Sequence, residues 1–182
     1  MMKKVCIIYT GGTIGMVPTD NGYAPAPGYF GRQLQNIRDL GSPHMPAWDF
    51  VEFSPLLDSS NMAYHQWNDI ASAIEQKYDA YDGFVILHGT DTMAYSAAAL
   101  SFMLEGLDKP VVFTGSQIPL CELRSDAMDN LVTSLIIAGQ GQRGLPVFRR
   151  PAASRQPRSQ GVRRRIDRLR LTKLSPAGNR GH

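Results

Sequence analysis

Two short threonine-rich motifs carry the residue types with which this chain could perform nucleophilic chemistry. The first reads Thr10-Gly11-Gly12-Thr13-Ile14-Gly15 and the second reads His88-Gly89-Thr90-Asp91-Thr92, each directly after a short apolar run. Hydroxyl groups are thereby placed at the carboxyl ends of two predicted buried strands, the edge at which open α/β sheets build their sites. A threonine hydroxyl is a weak nucleophile that needs a base and an oxyanion site nearby. Because the second motif also contains the carboxylate of Asp91, the functional interpretation is nucleophile-and-base chemistry with Thr13 as the nucleophile.

Each of these features also has a simpler structural interpretation. The Thr10–Gly15 motif could be only a tight turn; it lacks both the Gly-Lys-Ser/Thr ending of a P-loop and the Gly-x-Gly-x-x-Gly spacing of a dinucleotide site. Asp91 or a neighbour could cap the following helix, and the cluster Asp58-Ser59-Ser60-Asn61 could cap an earlier one. Tyr23, in a Gly- and Pro-rich loop, could be a surface residue, and His88 could be a packed histidine.

The elements that must position these residues alternate between strand and helix. Strands are predicted at Val5–Tyr9, Phe50–Leu57, Phe84–Leu87 and Val111–Thr114, and helices at Phe30–Leu40, Tyr64–Tyr78, Thr92–Leu104 and Ser125–Ala138. Residues 16–31 are rich in proline and glycine, which predicts a loop or flap. The alternation predicts an α/β fold with a mainly parallel sheet, right-handed crossovers and three layers.

The composition excludes several classes of protein. With 182 residues and 43% hydrophobic residues, the chain can form one domain with a substantial core. No apolar run approaches the ~18 residues of a transmembrane helix, and the apolar stretch at the amino terminus is too brief for a signal peptide, which favours the cytoplasm. The two cysteines suggest no disulfide framework, and with the four histidines they have no metal-ligand spacing, so we expect no metal and no cofactor.

The charge of the chain divides it into two unlike parts. Residues 1–142 contain seven Lys and Arg and 15 Asp and Glu, a balance of −8, whereas residues 143–182 contain twelve Lys and Arg and a single acid, a balance of +11. We therefore predict an α/β domain over 1–142 and a disordered Arg- and Pro-rich tail over 143–182. Such a basic tail could bind nucleic acid incidentally, without sequence preference and with strong salt dependence.

Taken in order, the motifs resemble one enzyme family. Thr10–Gly15, Asp58-Ser59-Ser60, His88–Thr92 and Thr114-Gly115-Ser116-Gln117 each follow a predicted strand, and the supporting stretches are residues 82–95 and 117–126. Over residues 3–138 the chain resembles the bacterial L-asparaginase family, most closely its cytoplasmic type I branch. The resemblance implies a flavodoxin-like amino-terminal domain, with the smaller carboxyl-terminal domain of the family missing.

The resemblance also implies a reaction and the residues that perform it. The reaction is hydrolysis of L-asparagine to L-aspartate and ammonia through a threonine nucleophile. The implied catalytic residues are Thr13, Thr90 and Asp91, and the implied substrate-binding residues are Tyr23, Asp58, Ser59, Ser60, Thr90 and Asp91. Intact homologues are expected to be homo-oligomers that bind a small-molecule substrate, with no membrane and no specific nucleic acid. A related amidohydrolase subunit, of the tRNA amidotransferase type, is the alternative within this class.

After residue 138 the chain departs from the family pattern. The family pairs its second threonine and aspartate with a lysine in a segment reading Arg-Gly-Asn-Arg-x-x-Lys, whereas this chain reads Arg158-Ser159-Gln160-Gly161-Val162. Codon degeneracy allows the tail to be read one base later as family-like strings: Arg143–Phe148 as E-V-C-L-F, Ser154–Arg165 as R-G-N-R-A-V-K-A-S-A-D, and Arg165–Ala177 as D-G-L-T-A-F-D-S-P-N-F-P-P-L. We therefore predict a frameshift, in the gene or in its reading, near Gly139–Arg143, and little or no activity for the 182-residue chain.

Overall fold

A parallel β-sheet between two layers of helices forms the body of the protein. The computed structural model describes residues 3–104 and 106–140. In chain order the elements are β1 (Lys4–Gly11), β2 (Met16–Thr19), β3 (Gly22–Pro25), α1 (Tyr29–Gln35), β4 (Ala47–Leu57), α2 (Tyr64–Lys77), β5 (Gly83–Leu87), α3 (Met93–Met103), β6 (Val111–Thr114) and α4 (Ala127–Gly139). The α/β class predicted from the alternating pattern is confirmed.

The order of the strands reverses between two central strands of the sheet. The four parallel strands lie in the order β4-β1-β5-β6, so the chain steps from β1 to one side and then returns to the other side. This is the start of the flavodoxin-like order, in which ligands bind beyond the carboxyl ends of the two strands where the direction reverses. Here those strands are β1 and β5; the first threonine motif begins in the last two residues of β1, and the second directly follows β5.

Alternate residues of the strands enter two separate cores, which confirms the three-layer arrangement. Ile7 and Tyr9 of β1 pack with buried residues of α1 and α4 on one face. Cys6 and Ile8 pack with Ile70 of α2 and buried residues of α3 on the other face. Since both faces of β1 and β5 are covered, these strands consist of nearly continuous apolar runs, as parallel strands do.

The predicted loop over residues 16–31 contains regular structure. Met16–Thr19 and Gly22–Pro25 pair in antiparallel register as a hairpin, and α1 begins at Tyr29. Regular structure therefore covers eleven of these residues, eight in the hairpin and three in α1, so the predicted flap is a hairpin and not an irregular loop. The prolines that suggested a loop are tolerated because a two-stranded ribbon consists only of edge strands.

Two other predicted elements change a limit by three residues or more. The helix predicted over Phe30–Leu40 ends as an α-helix at Gln35, and a separate 3₁₀ turn covers Arg38–Gly41. Strand β4 begins at Ala47, three residues before its predicted start, because Ala47, Trp48 and Asp49 pair with the first residues of β1.

Helix α3 has an unusual outer surface. It carries no charged side chain, and the exposed fractions of Tyr95 and Phe102 are 71% and 60%. Within the described ranges, no helix is long and apolar enough to cross a membrane. The predicted disordered tail, 143–182, lies outside the described residues.

Candidate active site

The loop after β1 turns sharply because of two glycines. Gly11 has φ +138° and Gly12 has φ +93°, conformations that side chains rarely allow. A Cβ atom on Gly11 would lie 2.1 Å from the carbonyl oxygen of Leu57, and one on Gly12 would lie 2.6 Å from Cα and N of Gly89. Thr13, half-buried, then begins a 3₁₀ turn. The glycines therefore let the loop that carries Thr13 pack directly against the ends of β4 and β5.

The loop after β5 meets two other loops at Gly89. A Cβ atom on Gly89 would lie 2.2 Å from Oγ of Ser59, in the loop after β4. The same Cβ atom would lie 3.5 Å from Cα of Gly12, in the loop after β1. The strand ends are also joined by a buried hydrogen bond of 2.8 Å, which the Thr10 hydroxyl donates to the Leu87 carbonyl. Thr90 is half-buried and Asp91 is exposed. The structure thus brings together the loops that carry the two predicted threonines.

The loop after β4 holds Asp58 as an anion. Asp58 accepts hydrogen bonds from the backbone N–H of Ser60 at 2.9 Å and from the Ser60 hydroxyl at 2.8 Å. These bonds, first the one from the N–H and then the one from the hydroxyl, lower the pKa of the Asp58 carboxyl. Ser59 is buried whereas Asp58 and Ser60 are exposed, so of the three predicted binding residues only Ser59 lies inside the protein.

The capping interpretations of the two loops are wrong in detail. Asp58 caps only the 3₁₀ turn Ser59–Asn61, while α2 begins after Ala63, whose N–H donates to the side chain of Gln66. The N-cap position of α3 is Thr92, and no side chain there makes a capping hydrogen bond. The predicted polar side chains of these loops therefore do not cap the amino termini of α2 and α3.

Tyr23 lies on the hairpin, in strand β3, which contacts the turn that begins at Thr13. Its exposed fraction is 51%, and a hydrogen bond with the Glu122 carboxylate raises the pKa of its hydroxyl. The thiol of Cys121, in the loop between β6 and α4, donates to the carbonyl oxygen of Met16, the first residue of the hairpin, at 3.5 Å. The hairpin is thus fastened to the loop between β6 and α4, as a flap over the end of β1 would require.

The loop between β6 and α4 is itself held by Asp126. Its carboxylate accepts the backbone N–H groups of Gln117 and Ile118, each at 3.1 Å. Burial opposes the negative charge of Asp126, but these N–H groups outweigh it and the pKa of the carboxyl falls below its usual range. Asp126 therefore fixes the segment to which the Tyr23 hairpin is fastened.

His88 is a packed histidine, in agreement with the simpler of its two interpretations. Its exposed fraction is 1%, and its Nδ1 lies 2.7 Å from the Gly89 carbonyl oxygen. Because a carbonyl only accepts, Nδ1 carries the proton, and Nε2 is buried without a hydrogen-bond partner. Burial lowers the pKa of the imidazole, so the ring is neutral at pH 7.

We expect acid to destabilise the fold through His88. A histidine whose pKa is lowered by folding leaves the unfolded chain with more bound protons, so its contribution to stability is complete above about pH 6.5 and decreases below it. Urea unfolding should give a smaller free energy at about pH 5.5 than at about pH 7.5. The same comparison on His88→Gln should show a reduced pH dependence; an unchanged dependence would contradict the buried neutral state.

The sequence did not single out Glu122 as the partner of Tyr23, nor Thr92 as a residue that contacts the Asp58 loop. Glu122 lies in a segment quoted only for its resemblance to the family, and nothing local to that segment indicates that it faces a hairpin 99 positions earlier. The hydroxyl of Thr92 donates to the Ser59 carbonyl at 2.8 Å. Both contacts join segments that are distant in the sequence, and a single chain carries no periodic signal for such pairs.

Two other features of the described residues, possible metal ligands and a surface groove, lie apart from these loops or are not found. Residues 3–104 and 106–140 contain no group of three His, Cys, Asp or Glu side chains able to hold a metal ion. A groove of about 600 Å³ lies between α1 and β4, lined by side chains that include Arg32, Trp48 and Glu52. None of the predicted site residues lines it, so we place the site at the strand ends, where the loops converge.

The fold is that of an α/β protein in which the loops of the two threonine motifs meet at the reversal point of a flavodoxin-like sheet. Residues 4–150 match the model of the asparaginase family described as "Asparaginase, N-terminal". The chain is 55% identical to L-asparaginase 1 of Escherichia coli K12 over 136 residues, which are 75% of this chain and 40% of that protein. The chain therefore belongs to the asparaginase family.

Two further comparisons define the extent of the likeness. The crystal structure of L-asparaginase I from Vibrio cholerae superposes with a TM-score of 0.72 at 52% identity, over 76% of this chain and 41% of that one. A glutamyl-tRNA(Gln) amidotransferase subunit of Methanopyrus kandleri is 36% identical over 79% of this chain and 31% of its own length. The chain spans less than half the length of the curated relatives it matches.

Proposed function

We propose that this chain is the amino-terminal domain of an L-asparaginase, an amidohydrolase that converts L-asparagine and water to L-aspartate and ammonia. The observation that carries the proposal is the contact between Gly12 and Gly89, which joins the loops of Thr13 and Thr90 at the point where the sheet order reverses. Open parallel sheets bind their ligands at this point. We further propose that the complete enzyme is a homo-oligomer in the cytoplasm and that its substrate is a small molecule.

In the proposed reaction Thr13 is the nucleophile. Its hydroxyl oxygen attacks the side-chain carbonyl carbon of asparagine and loses its proton, and the carbon–nitrogen bond then breaks. Ammonia leaves with the added proton and an acyl-enzyme ester remains, which water hydrolyses to release aspartate and restore the hydroxyl. Tyr23, on the hairpin fastened beside the Thr13 turn, would cover this reaction.

The remaining predicted residues would bind the substrate. A free amino acid presents an ammonium group, for which carboxylates are the natural partners. Asp58 and Asp91 are both exposed at the strand ends, and the lowered pKa of the Asp58 carboxyl keeps that group ionised. We assign Asp91 to the substrate ammonium group, Asp58, Ser59 and Ser60 to the binding turn, and Thr90 to the second catalytic position.

An assay of two proteins tests this function. We expect the 182-residue chain to hydrolyse asparagine little or not at all, because the lysine that the family pairs with its second threonine is absent from the frame as read. A chain in which one base near codon 142 restores the frame up to the natural stop should recover hydrolysis. Ammonia release measures both. Full turnover by the 182-residue chain, or none by a folded restored chain, would contradict the proposal.

The alternative within the same fold is a component of an amidotransferase. The relationship to the amidotransferase protein of Methanopyrus kandleri supports it, at 36% identity against 55% for the Escherichia coli L-asparaginase 1. The higher identity favours the asparaginase. The restored chain should hydrolyse free asparagine without any tRNA, and a strict requirement for aminoacylated tRNA would instead favour the amidotransferase.

A further inference from the structure

Thr92 occupies the N-cap position of α3 but does not cap the helix. A threonine at that position usually accepts a hydrogen bond from a backbone N–H of the first turn. Here the side chain makes no capping bond, and its hydroxyl instead donates to the Ser59 carbonyl at 2.8 Å. The hydroxyl therefore connects the loop after β5 with the loop after β4, across 33 positions of sequence.

Each residue of this bond directly follows one of the two predicted binding carboxylates in the sequence. Asp91 directly precedes Thr92, and Asp58 directly precedes Ser59. The same two loops also touch where Gly89 faces the Ser59 side chain. One van der Waals contact and one hydrogen bond thus join the loop after β4 to the loop after β5 on either side of Thr90.

We propose that Thr92 is a positioning residue, whose hydroxyl fixes the distance between the Asp58 turn and Asp91 and thereby the fit of the amino acid between them. This inference rests on the proposed function, since it concerns the ligand of the same site. Thr92 itself touches no reacting atom. Its effect passes through the Ser59 carbonyl, which also accepts the backbone N–H of Met62 at 3.4 Å and so belongs to the turn that holds Asp58.

The test compares three forms of the 182-residue chain. Thr92→Val has nearly the same shape and removes the hydroxyl, whereas Thr92→Ser keeps the hydroxyl. In Thr92→Val the backbone amides of Ser60, Asn61 and Met62 should exchange with solvent about fivefold faster, the factor that one ordinary hydrogen bond represents. In Thr92→Ser these amides should exchange as in the wild type, and amides of β1 should be unchanged in both variants.

The second measurement is the affinity for L-aspartate, the proposed product, titrated by NMR. We expect the dissociation constant to rise about fivefold or more in Thr92→Val and to recover in Thr92→Ser. Unchanged exchange in Thr92→Val would overturn the inference. Faster exchange with equal affinity in all three forms would also overturn it, because Thr92 would then only stabilise the loop. If the wild type does not bind L-aspartate, the inference fails, whereas the proposed function is still decided by hydrolysis in the frame-restored chain.

Discussion

Replacing Thr13 by alanine in the frame-restored chain should lower asparagine hydrolysis by at least about a thousandfold, because removing one member of a linked catalytic set usually costs several orders of magnitude. Thr90→Val should have an effect of similar size, since Thr90 is assigned to the second catalytic position. Ammonia release under saturating asparagine measures both. Circular dichroism should show that each variant retains the wild-type fold.

Thr133→Ala provides the matched control for these substitutions. Thr133 is exposed on α4, so its loss removes a threonine hydroxyl without touching the strand ends. This variant should keep wild-type activity. Survival of hydrolysis in a chain that carries both Thr13→Ala and Thr90→Val would rule out the threonine mechanism.

Gly12→Ala should destabilise the 182-residue chain by about 2–5 kcal/mol, a loss made up of overpacking and backbone strain. The added Cβ atom would lie 2.6 Å from backbone atoms of Gly89, and the φ of +93° with ψ of 174° is a region that essentially only glycine adopts. Urea unfolding measures the free energy of unfolding. A loss of this size is a large fraction of the roughly 5–15 kcal/mol that keeps an ordinary domain folded.

Gly22→Ala separates the two causes. Gly22 also has a positive φ, +104°, but a Cβ atom there would have nothing within 4 Å. This variant therefore carries only the backbone strain, about 1–3 kcal/mol. If Gly12→Ala costs no more than Gly22→Ala, the loops of Thr13 and Thr90 do not approach as closely as the structure indicates.

The central part of the fold was predictable because short sequence patterns determine its strands. Strands β1 and β5 are short apolar runs ended by glycine, and that pattern is typical of strands covered on both faces. Once they are parallel neighbours, the motifs that follow them must meet at one edge. The positions of Thr13 and Thr90 in contacting loops follow from these two runs and from the small side chains of Gly12 and Gly89.

Other features depend on contacts that no local pattern reveals. The start of β4 at Ala47 is decided by pairing with β1, and its first three residues have no strand pattern of their own. The partner of Tyr23 is Glu122, and the partner of the Thr92 hydroxyl is the Ser59 carbonyl. The capping pattern predicted that the polar side chains of these loops bond to the helix that follows each loop. In the structure the Thr92 hydroxyl bonds instead to a different loop.

The central place of β1 in the sheet has a consequence for how this chain folds. β1 pairs with β4 on one side and with β5 on the other, and the hydrogen bond from Thr10 to Leu87 closes a loop of 77 residues. Such closures cost chain entropy before any contact rewards them, so folding is slow where distant pairings dominate. In a chain growing on the ribosome, β1 can pair first with β4, but its other edge stays unpaired until β5 has emerged. The loop after β5, which contacts both Gly12 and Ser59, is therefore the last of the three loops of the site to be placed.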